Sequence, residues 1–563
     1  MKRYYILIAL TPLVAFIVAE LTAWLLWPGY GVTPFWVMPW TIAEYTSWHY
    51  PFAHYALTRA LDWVATKQGG LPTSTYFNQW LRNTSYRDLW HTDYYGFLYW
   101  GAAACLIWGI YIYALTRQYL QSCIKVGNVK ISPEKENLHF LFPGSTQSGK
   151  TSCILQMLST IRRRGDPAIL IDPSGELVKH FYKQGGRNDR ILSPGDQRSE
   201  DWAHSAELAA GIKAELLSER VVGQGYGNER QWCGYTHGVL RDIYLALWER
   251  GSVTNSDVMS AILSDNRTLS ELLKGRPSAI HFFPGNEKFL LSLRSILANY
   301  TAHLLEFNPR ASVDAFALAQ WIRSLSDANG KGNRLRPWLF FNTSGGDLSN
   351  AQKQLLSAQM SIAIHSALSL PVDRKRRIWF VLEELGNIGA ITGLKQMLAE
   401  GAKHGVCAVA AIQSVSQLVE LYGEAGAQTL LSCFNSTVVS RLADPKTAEY
   451  YERHFGKKEL TEWRRSEGSS GGQSSSGLTE QVRIRPRYYS HELMELDGKC
   501  ITWIVGDHPK RRRVPKMRLP EVAEAFVPQR TPFHPPVAAP DTLKPTNPVA
   551  PQGAGSDGPK WEE

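Results

Sequence analysis

Residues 142–151 read Phe142-Pro143-Gly144-Ser145-Thr146-Gln147-Ser148-Gly149-Lys150-Thr151, the G-x-x-x-x-G-K-T pattern of a phosphate-binding loop. This motif is informative only between a strand and a helix. An apolar run suited to a buried strand, Leu138–Phe142, precedes it, and Ser152–Leu158 can open a helix after it. The stretch therefore predicts an α/β fold that binds a nucleotide through this loop.

Each residue type in the loop has a chemical reason to be there. Gly144 and Gly149 let the backbone wrap closely around phosphate oxygens, and the helix that follows offers free N–H groups to the same anion. Lys150 is expected to reach the β- and γ-phosphates, and the Thr151 hydroxyl to ligate Mg²⁺. The predicted nucleotide-binding residues are Gly144, Ser145, Thr146, Gln147, Ser148, Gly149, Lys150 and Thr151.

Composition sets the wider limits. The chain has 563 residues, of which 44% are hydrophobic and 20% charged, a size that suggests roughly three to four domain-sized units. A formal net charge of +10 favours a polyanionic partner or an anionic membrane surface. The 7 cysteines contain no C-x-x-C pair, so the pattern indicates neither a zinc site nor a disulfide framework.

Two apolar stretches near the N-terminus predict transmembrane helices. Tyr4–Trp27 is long enough to cross a hydrocarbon core of about 30 Å, and Tyr94–Thr116 forms a second candidate span with aromatic residues at its ends. Lysines and arginines flank both outer ends, which predicts a two-pass protein whose N- and C-termini are cytoplasmic. Residues 28–93 then form a small periplasmic loop domain.

Beyond residue 117 the pattern alternates between strands and helices. Ala168–Asp172 is an apolar strand that ends in an acid, and that acid either serves the site or caps the next turn. Residues 203–330 show helical periodicity and lack strand character, which predicts an all-α insert. The predicted domains are 1–27, first transmembrane helix with its flank; 28–93, periplasmic loop; 94–116, second transmembrane helix; 117–202, nucleotide-binding domain, first part; 203–330, all-α insert; 331–518, nucleotide-binding domain, second part; 519–563, Pro-rich disordered tail.

Two later strands end in residues suited to hydrolysis. Ile378–Leu382 is an apolar run followed by Glu383 and Glu384, the arrangement of a Walker B strand. Glu383 is expected to hold Mg²⁺ and Glu384 to orient the attacking water, although both could instead cap the next helix. Gln413 follows the apolar run Ala408–Ile412, where it either senses the γ-phosphate or is an ordinary polar strand end.

The remaining patterns are weaker. Ser466–Gly477 is rich in Ser and Gly and predicts a mobile loop, and the prolines beyond residue 519 predict an extended, disordered tail. Three basic clusters could follow a nucleic-acid backbone, although runs of charge usually lie on solvated faces. These clusters are Arg162–Arg164, Arg374–Arg377 and Lys510–Arg513.

Taken in order, these features resemble the type IV coupling proteins of bacterial conjugation, the TraD/TrwB group. The resemblance rests on two N-terminal spans, the loop GSTQSGKT, the Asp-Pro strand end at 172–173, the helical insert and the paired acids. The segments Ala399–Gly405, Ala411–Leu418 and Asp444–Thr447 also match. It implies a RecA-like P-loop NTPase core, with an inserted all-α domain and two preceding transmembrane helices, that uses ATP and Mg²⁺.

The same resemblance implies a homo-hexameric motor at the bacterial inner membrane, beneath a type IV secretion channel. Its partners would be channel components, relaxase and other relaxosome proteins, and DNA, mainly single-stranded and bound without sequence preference. Lys150, Glu384 and Gln413 would be its catalytic residues, and Thr151 with Glu383 its metal ligands.

One departure bears on the rate of hydrolysis. Some family members carry an arginine, read as a trans-acting finger, where this chain has Ala402, so Lys403, Arg441 or another arginine would have to supply the charge. Two alternatives stay open: a motor that delivers protein effectors, and a nucleotide-binding membrane scaffold with little hydrolysis.

Overall fold

The computed structural model describes residues 108–528, except for 118, 121, 128, 184–187, 224–228, 252, 284, 328–336, 344–347 and 471–472. The predicted span Tyr4–Trp27, the loop domain 28–93, most of the span Tyr94–Thr116 and the tail beyond 528 lie outside these residues. The chain divides into two compact units, 1–122 and 123–563. In the first unit, residues 108–117 are helical. No helix among the described residues is long and apolar enough to cross a membrane.

A nine-stranded sheet organises the second unit and confirms the predicted α/β fold. Its spatial order is β13-β12-β9-β3-β8-β7-β4-β6-β5. The strands are β3 (Phe140–Pro143), β4 (Ala168–Asp172), β5 (Arg190–Ile191), β6 (Trp338–Asn342), β7 (Ile378–Leu382), β8 (Val406–Ile412), β9 (Ser436–Val439), β12 (Lys499–Trp503) and β13 (Lys510–Arg513). Another pair, β1 (Ile124–Val126) and β2 (Val129–Ile131), precedes them as a separate hairpin.

The central strands run parallel, and only β12 and β13 are antiparallel to their neighbours. Every residue of β3, β4, β6, β7, β8 and β9 is buried. Strands buried on both faces read as continuous apolar runs, which is why these segments show no alternating pattern.

Helices cover both faces of the sheet. One face packs against α1 (Lys150–Arg164) and α2 (Glu176–Phe181). The other face shares one hydrophobic core with α10 (Asn350–Leu368), α11 (Leu394–Glu400), α12 (Val415–Cys433) and the helical insert. Beyond β9 come α13 (Pro445–Phe455) and α14 (Ser490–Met494), which pack on a smaller cluster with β12.

The helical insert stands between β5 and β6. Its helices are α3 (His204–Ala209), α4 (Ala214–Val222), α5 (Glu229–Glu249), α6 (Asn255–Leu263), α7 (Asn266–Leu272), α8 (Glu287–Thr301) and α9 (Leu318–Asp327). A buried polar network stabilises its base: Glu207 accepts hydrogen bonds from the Trp202 indole at 2.9 Å and from the backbone N–H groups of Leu318 and Ala319 at 2.7 and 3.1 Å. The insert is therefore continuous with the sheet core.

The prediction of a mobile loop over Ser466–Gly477 is wrong. Apart from 471–472, which lie outside the described residues, these residues belong to a long hairpin of β10 (Lys457–Ser470) and β11 (Gln473–Pro486), paired in register from Lys457 opposite Pro486 to Ser470 opposite Gln473. Glu462 lies 3.5 Å from Arg483 and 3.0 Å from Arg485 across the pair. Backbone pairing and these ion pairs set the register, whereas composition alone favoured a loop.

Residues 519–528, which the sequence assigned to a disordered tail, form ordered contacts with the nucleotide-binding domain. Residues 514–528, which we call the strap, run across the nucleotide-binding domain. The Val522 N–H donates to the Lys179 carbonyl at 2.8 Å, and the Gln197 N–H donates to the Val527 carbonyl at 2.7 Å. The Asn342 amide and the Arg198 guanidinium donate to the Ala525 and Glu524 carbonyls. Prolines suit an extended course, and the strap obtains its order from these long-range contacts.

Candidate nucleotide-binding site

Four adjacent parallel strands end at one edge of the sheet and bring most predicted site residues together. In the order β3-β8-β7-β4, their carboxyl ends carry the glycine-rich loop, Gln413, the acids Glu383 and Glu384, and Asp172. Ligands of open α/β sheets bind outside this edge. The topology therefore explains why residues far apart in sequence form one cluster.

Backbone hydrogen bonds tie the loop to the neighbouring strands. The Gly144 N–H donates to the Ile412 carbonyl at 3.1 Å, and the Ser145 N–H donates to the Arg441 carbonyl at 2.7 Å. A Cβ atom on Gly144 would lie 2.7 Å from the Ser148 hydroxyl and 2.9 Å from Ser440 Cβ. The first glycine is thus required by close packing.

The second glycine meets two constraints. Gly149 has φ of 92°, a left-handed conformation that non-glycine residues rarely adopt, and it begins α1 as its N-cap. An added Cβ would lie 2.5 Å from Val514 Cγ1 of the strap. The loop is therefore in direct contact with a segment more than 360 residues later in the chain.

Lys150 lies inside the loop it belongs to. Its ammonium group donates to the Gly144 carbonyl and, at 3.3 Å, to the Ser145 carbonyl. Burial lowers the pKa of Lys150, while the nearby carboxylates of Glu384 and Glu383 act in the opposite direction. The lysine is thus directed at the phosphate cradle and faces both predicted acids.

Thr151 and Glu383 meet as the motif predicts. The Thr151 hydroxyl donates to Glu383 Oε1 at 3.1 Å, while the second carboxylate oxygen of Glu383 is buried with no hydrogen-bond partner among the described residues. Burial raises the pKa of Glu383 well above its usual value, and the charge of Asp172 raises it further. A hydroxyl beside an unsatisfied buried carboxylate oxygen is a donor set that fits Mg²⁺.

Asp172 lies in the turn that begins α2 and beside Glu383. It accepts hydrogen bonds from the Val178 N–H and the Ser174 hydroxyl, each at 2.9 Å, so it organises the turn that begins α2. It also faces Glu383 closely enough to perturb it electrostatically. Burial raises the pKa of Asp172 despite these hydrogen bonds, because burial disfavours the charged form.

Glu384 lies between two amides. Asn387 Nδ2 donates to one of its carboxylate oxygens at 2.7 Å, and Gln413 Nε2 donates to the other at 3.4 Å. The sequence pattern indicates Gln413 but not Asn387, which lies three residues beyond the acid in a short 3₁₀ turn, Leu385–Asn387. That spacing was the available signal, since residues three apart in a helical turn share a face.

Arg441 and Lys403, the two named candidates to replace the arginine finger missing at Ala402, differ in position. The Arg441 carbonyl accepts hydrogen bonds from the Ser145 N–H and hydroxyl, so its backbone anchors the phosphate loop, and its side chain is exposed. Lys403 is exposed beside Ala402 in a 3₁₀ turn, Gly401–His404.

Two of the three basic clusters are occupied by structural ion pairs. Arg162 pairs with the buried Asp189, and both Arg164 and Arg377 pair with the buried Glu136. Lys510–Arg513 differs because all four of its residues are exposed on the edge strand β13. Only this cluster presents its whole length to solvent.

Comparisons with known proteins show which proteins this chain resembles. A family model described as the type IV secretion-system coupling protein DNA-binding domain matches residues 123–512. The coupling protein TraD of Escherichia coli K12 is 27% identical over 421 residues, which cover 72% of this chain and 57% of TraD. VirD4 of Bartonella quintana is 32% identical over 141 residues, 24% of this chain and 22% of VirD4. The chain thus spans 57% and 22% of these two curated relatives.

Solved structures resemble the fold over most of its described part. Unbound TrwBΔN70, a bacterial conjugative coupling protein, aligns with a TM-score of 0.65 and 26% identity, covering 72% of this chain and 91% of that one. TrwB in complex with ADP and Mg²⁺ aligns with a TM-score of 0.62 and 25% identity, covering 72% and 92%.

Proposed function

Because the chain belongs to the family of type IV secretion-system coupling proteins, we propose that it is an ATPase that drives DNA translocation during conjugation. The observation that carries this proposal is the convergence of Lys150, the Thr151–Glu383 pair and the Glu384–Gln413 pair at one sheet edge. A binding loop alone would need only the first of these three elements.

The loop residues bind the nucleotide. Lys150 moves its ammonium group from the Gly144 and Ser145 carbonyls to the β- and γ-phosphate oxygens, while the backbone N–H groups from Thr146 to Thr151 surround the phosphates. TrwB, whose fold this chain shares, has been solved with an ATP analogue and with ADP and Mg²⁺.

Thr151, Glu383 and, behind them, Asp172 would hold Mg²⁺. When bound, the ion neutralises charge on the phosphate oxygens during transfer. Burial raises the pKa of both carboxyl groups, and the charge of Asp172 raises the pKa of Glu383 further, so Glu383 holds its proton more strongly than a solvent-exposed glutamate does. Glu383 gives up that proton when it ligates a cation.

Glu384 acts on the attacking water. Asn387 and Gln413 hold its carboxylate from two sides, which fixes the direction in which it accepts a hydrogen bond. Gln413 extends from the strand next to the phosphate loop, so it is placed to report the state of the γ-phosphate to Glu384. Lys150 stabilises the charge that develops on the transferred phosphoryl group.

The partners follow from the family. We place the protein at the bacterial inner membrane as a two-pass homo-hexamer that links relaxase-bound DNA to the type IV secretion channel. Arg441 and Lys403 are exposed, so either could reach a neighbouring subunit's nucleotide. The net charge of +10 suits sequence-independent binding to a DNA backbone.

The test uses the full chain in detergent. Fluorescence anisotropy with single-stranded oligonucleotides of unrelated sequence should give similar affinities that fall steeply with salt, and the same DNA should stimulate ATP hydrolysis. Absence of DNA binding at low salt would refute the proposal. Effector proteins that stimulate turnover where DNA does not would favour a protein-delivering motor.

A further inference from the structure

A second polar pocket lies where the helical insert meets the nucleotide-binding domain. It has a volume of about 510 Å³, within the range of small-molecule sites. Its walls come from the end of α4, the first turns of α10, residues 389–393 and the start of α11. None of its lining residues belongs to the phosphate loop.

The charged residues that the structure describes in this pocket are all cationic. Arg220, Lys353 and Lys395 line it, and no described lining residue is an aspartate or glutamate. The ammonium groups of Lys353 and Lys395 form no hydrogen bond or ion pair with any residue in the described part of the chain. Arg220 Nε is buried with no hydrogen-bond partner there. The neighbouring carboxylate of Glu219 acts on Arg220 only at a distance. Three cations without acidic partners favour an anionic ligand.

The floor of the pocket is held in place. The Ser357 hydroxyl donates to the Ala390 carbonyl at 2.5 Å, and the Ile391 N–H donates to the Tyr422 hydroxyl at 3.0 Å. Tyr422 precedes Gly423, whose φ of 71° kinks α12. The segment 389–393, which leads from β7 into α11, is thus tied to α10 and α12, so the cations project from a defined frame.

We propose that this pocket binds the phosphate of a nucleotide unit, at a site separate from the loop around Lys150. Lysine and arginine supply the charge that a phosphate requires, and the rings of Tyr300 and Tyr422 line the same space, where a base can stack. The nucleotide unit is either one residue of a DNA strand or a free nucleotide. The strand alternative rests on the proposed function.

The pocket is coupled to the hydrolytic site through a short segment. Residues 389–393, which form its floor, follow Glu384 and Asn387 directly in the chain. A ligand that shifts this loop also shifts Asn387 against the Glu384 carboxylate. Occupancy of the pocket would therefore change the rate of ATP hydrolysis as well as binding.

The test compares two charge-matched double variants of the full chain in detergent. Lys353→Gln with Lys395→Gln removes two pocket cations, and Lys274→Gln with Lys288→Gln removes two exposed lysines of the insert. The probes are a fluorescein-labelled oligothymidylate and the labelled dinucleotide pTpT, each measured by anisotropy across a salt series. ADP·Mg²⁺ affinity serves as the folding control and should stay unchanged in both variants.

We expect the pocket variant to weaken at least one probe by about tenfold or more relative to the control variant. If the strand is the source, the oligonucleotide weakens and its salt slope falls by roughly one to two. If a free nucleotide is the source, pTpT weakens and the oligonucleotide does not. Equal affinities in the two variants for both probes would overturn the pocket proposal while the proposed function stands. Wild type that binds pTpT but no oligonucleotide would refute the function and leave the pocket intact.

Discussion

The contact between Gly149 and Val514 predicts that the strap and the phosphate loop are energetically coupled. Gly149→Ala forces a side chain into a left-handed conformation, at a cost of about 1–2 kcal/mol. It also places Cβ 2.5 Å from Val514 Cγ1, which adds about 1–3 kcal/mol of overpacking. Val514→Ala removes the two closest atoms, so the double variant should regain the second contribution but not the first.

A double-mutant cycle measures this coupling. We expect Gly149→Ala to weaken ADP binding by on the order of 30-fold or more, with about tenfold recovered in the double variant. Trypsin cleavage at Lys516 and Arg518 should accelerate in the single variant if the strap is displaced instead. Gly275→Ala is the control for strain alone, because Gly275 has φ of 81° and no atom within 4 Å of its added Cβ. Additive effects of the two substitutions on both readouts would refute the packing argument.

Three further predictions concern the site and its surroundings. Glu383→Gln should weaken ADP·Mg²⁺ binding by about tenfold or more but leave metal-free ADP binding nearly unchanged. In wild type the Mg²⁺ affinity should rise with pH, because the Asp172–Glu383 pair must lose a proton. Both effects are measured by titrations of fluorescent ADP, and equal losses of affinity with and without metal would contradict the role of Glu383 as a metal ligand. Asn387→Ala should lower kcat by roughly threefold to tenfold at unchanged KM, because it removes one support of Glu384; a change confined to KM in steady-state assays would count against it. Burial lowers the pKa of His139 from 6.5 to about 4, so the stability that its neutral form contributes is complete above pH 6.5 and is lost as the pH falls towards 4. In urea unfolding, the free energy of unfolding of wild type should fall by about 2 kcal/mol between pH 7 and 5, and His139→Gln should largely remove this fall. Identical pH profiles in the two proteins would exclude His139 as its source.

The parts of the site that follow local rules could be read from the sequence. The loop between Leu138–Phe142 and α1 consists of consecutive residues. Glu383, Glu384 and Gln413 lie at the ends of apolar runs that are typical of buried strands. Parallel topology then places them together, since carboxyl ends of neighbouring strands share an edge. The family resemblance drawn from these residues is confirmed by the match to residues 123–512.

What the sequence could not show depends on pairings between distant segments. Arg162, Arg164 and Arg377 form ion pairs with buried acids. No local sequence pattern distinguishes such arginines from those on a solvated basic face. The prolines of the strap suggested disorder because its order comes from contacts with residues 179–198 and 342, which are distant in the sequence. The hairpin β10–β11 is stabilised by cross-strand pairing, which the Ser/Gly-rich composition of its centre does not predict.

The most direct test of the central claim is ATP turnover by the full chain, with and without single-stranded DNA, in wild type, Glu384→Gln and the control Glu400→Gln, an exposed acid on α11. We predict that DNA stimulates wild type and Glu400→Gln alike. Glu384→Gln should bind ATP normally but hydrolyse it at least about 10²-fold more slowly than wild type, with or without DNA. Turnover that survives Glu384→Gln, or that ignores DNA in wild type, would contradict the account.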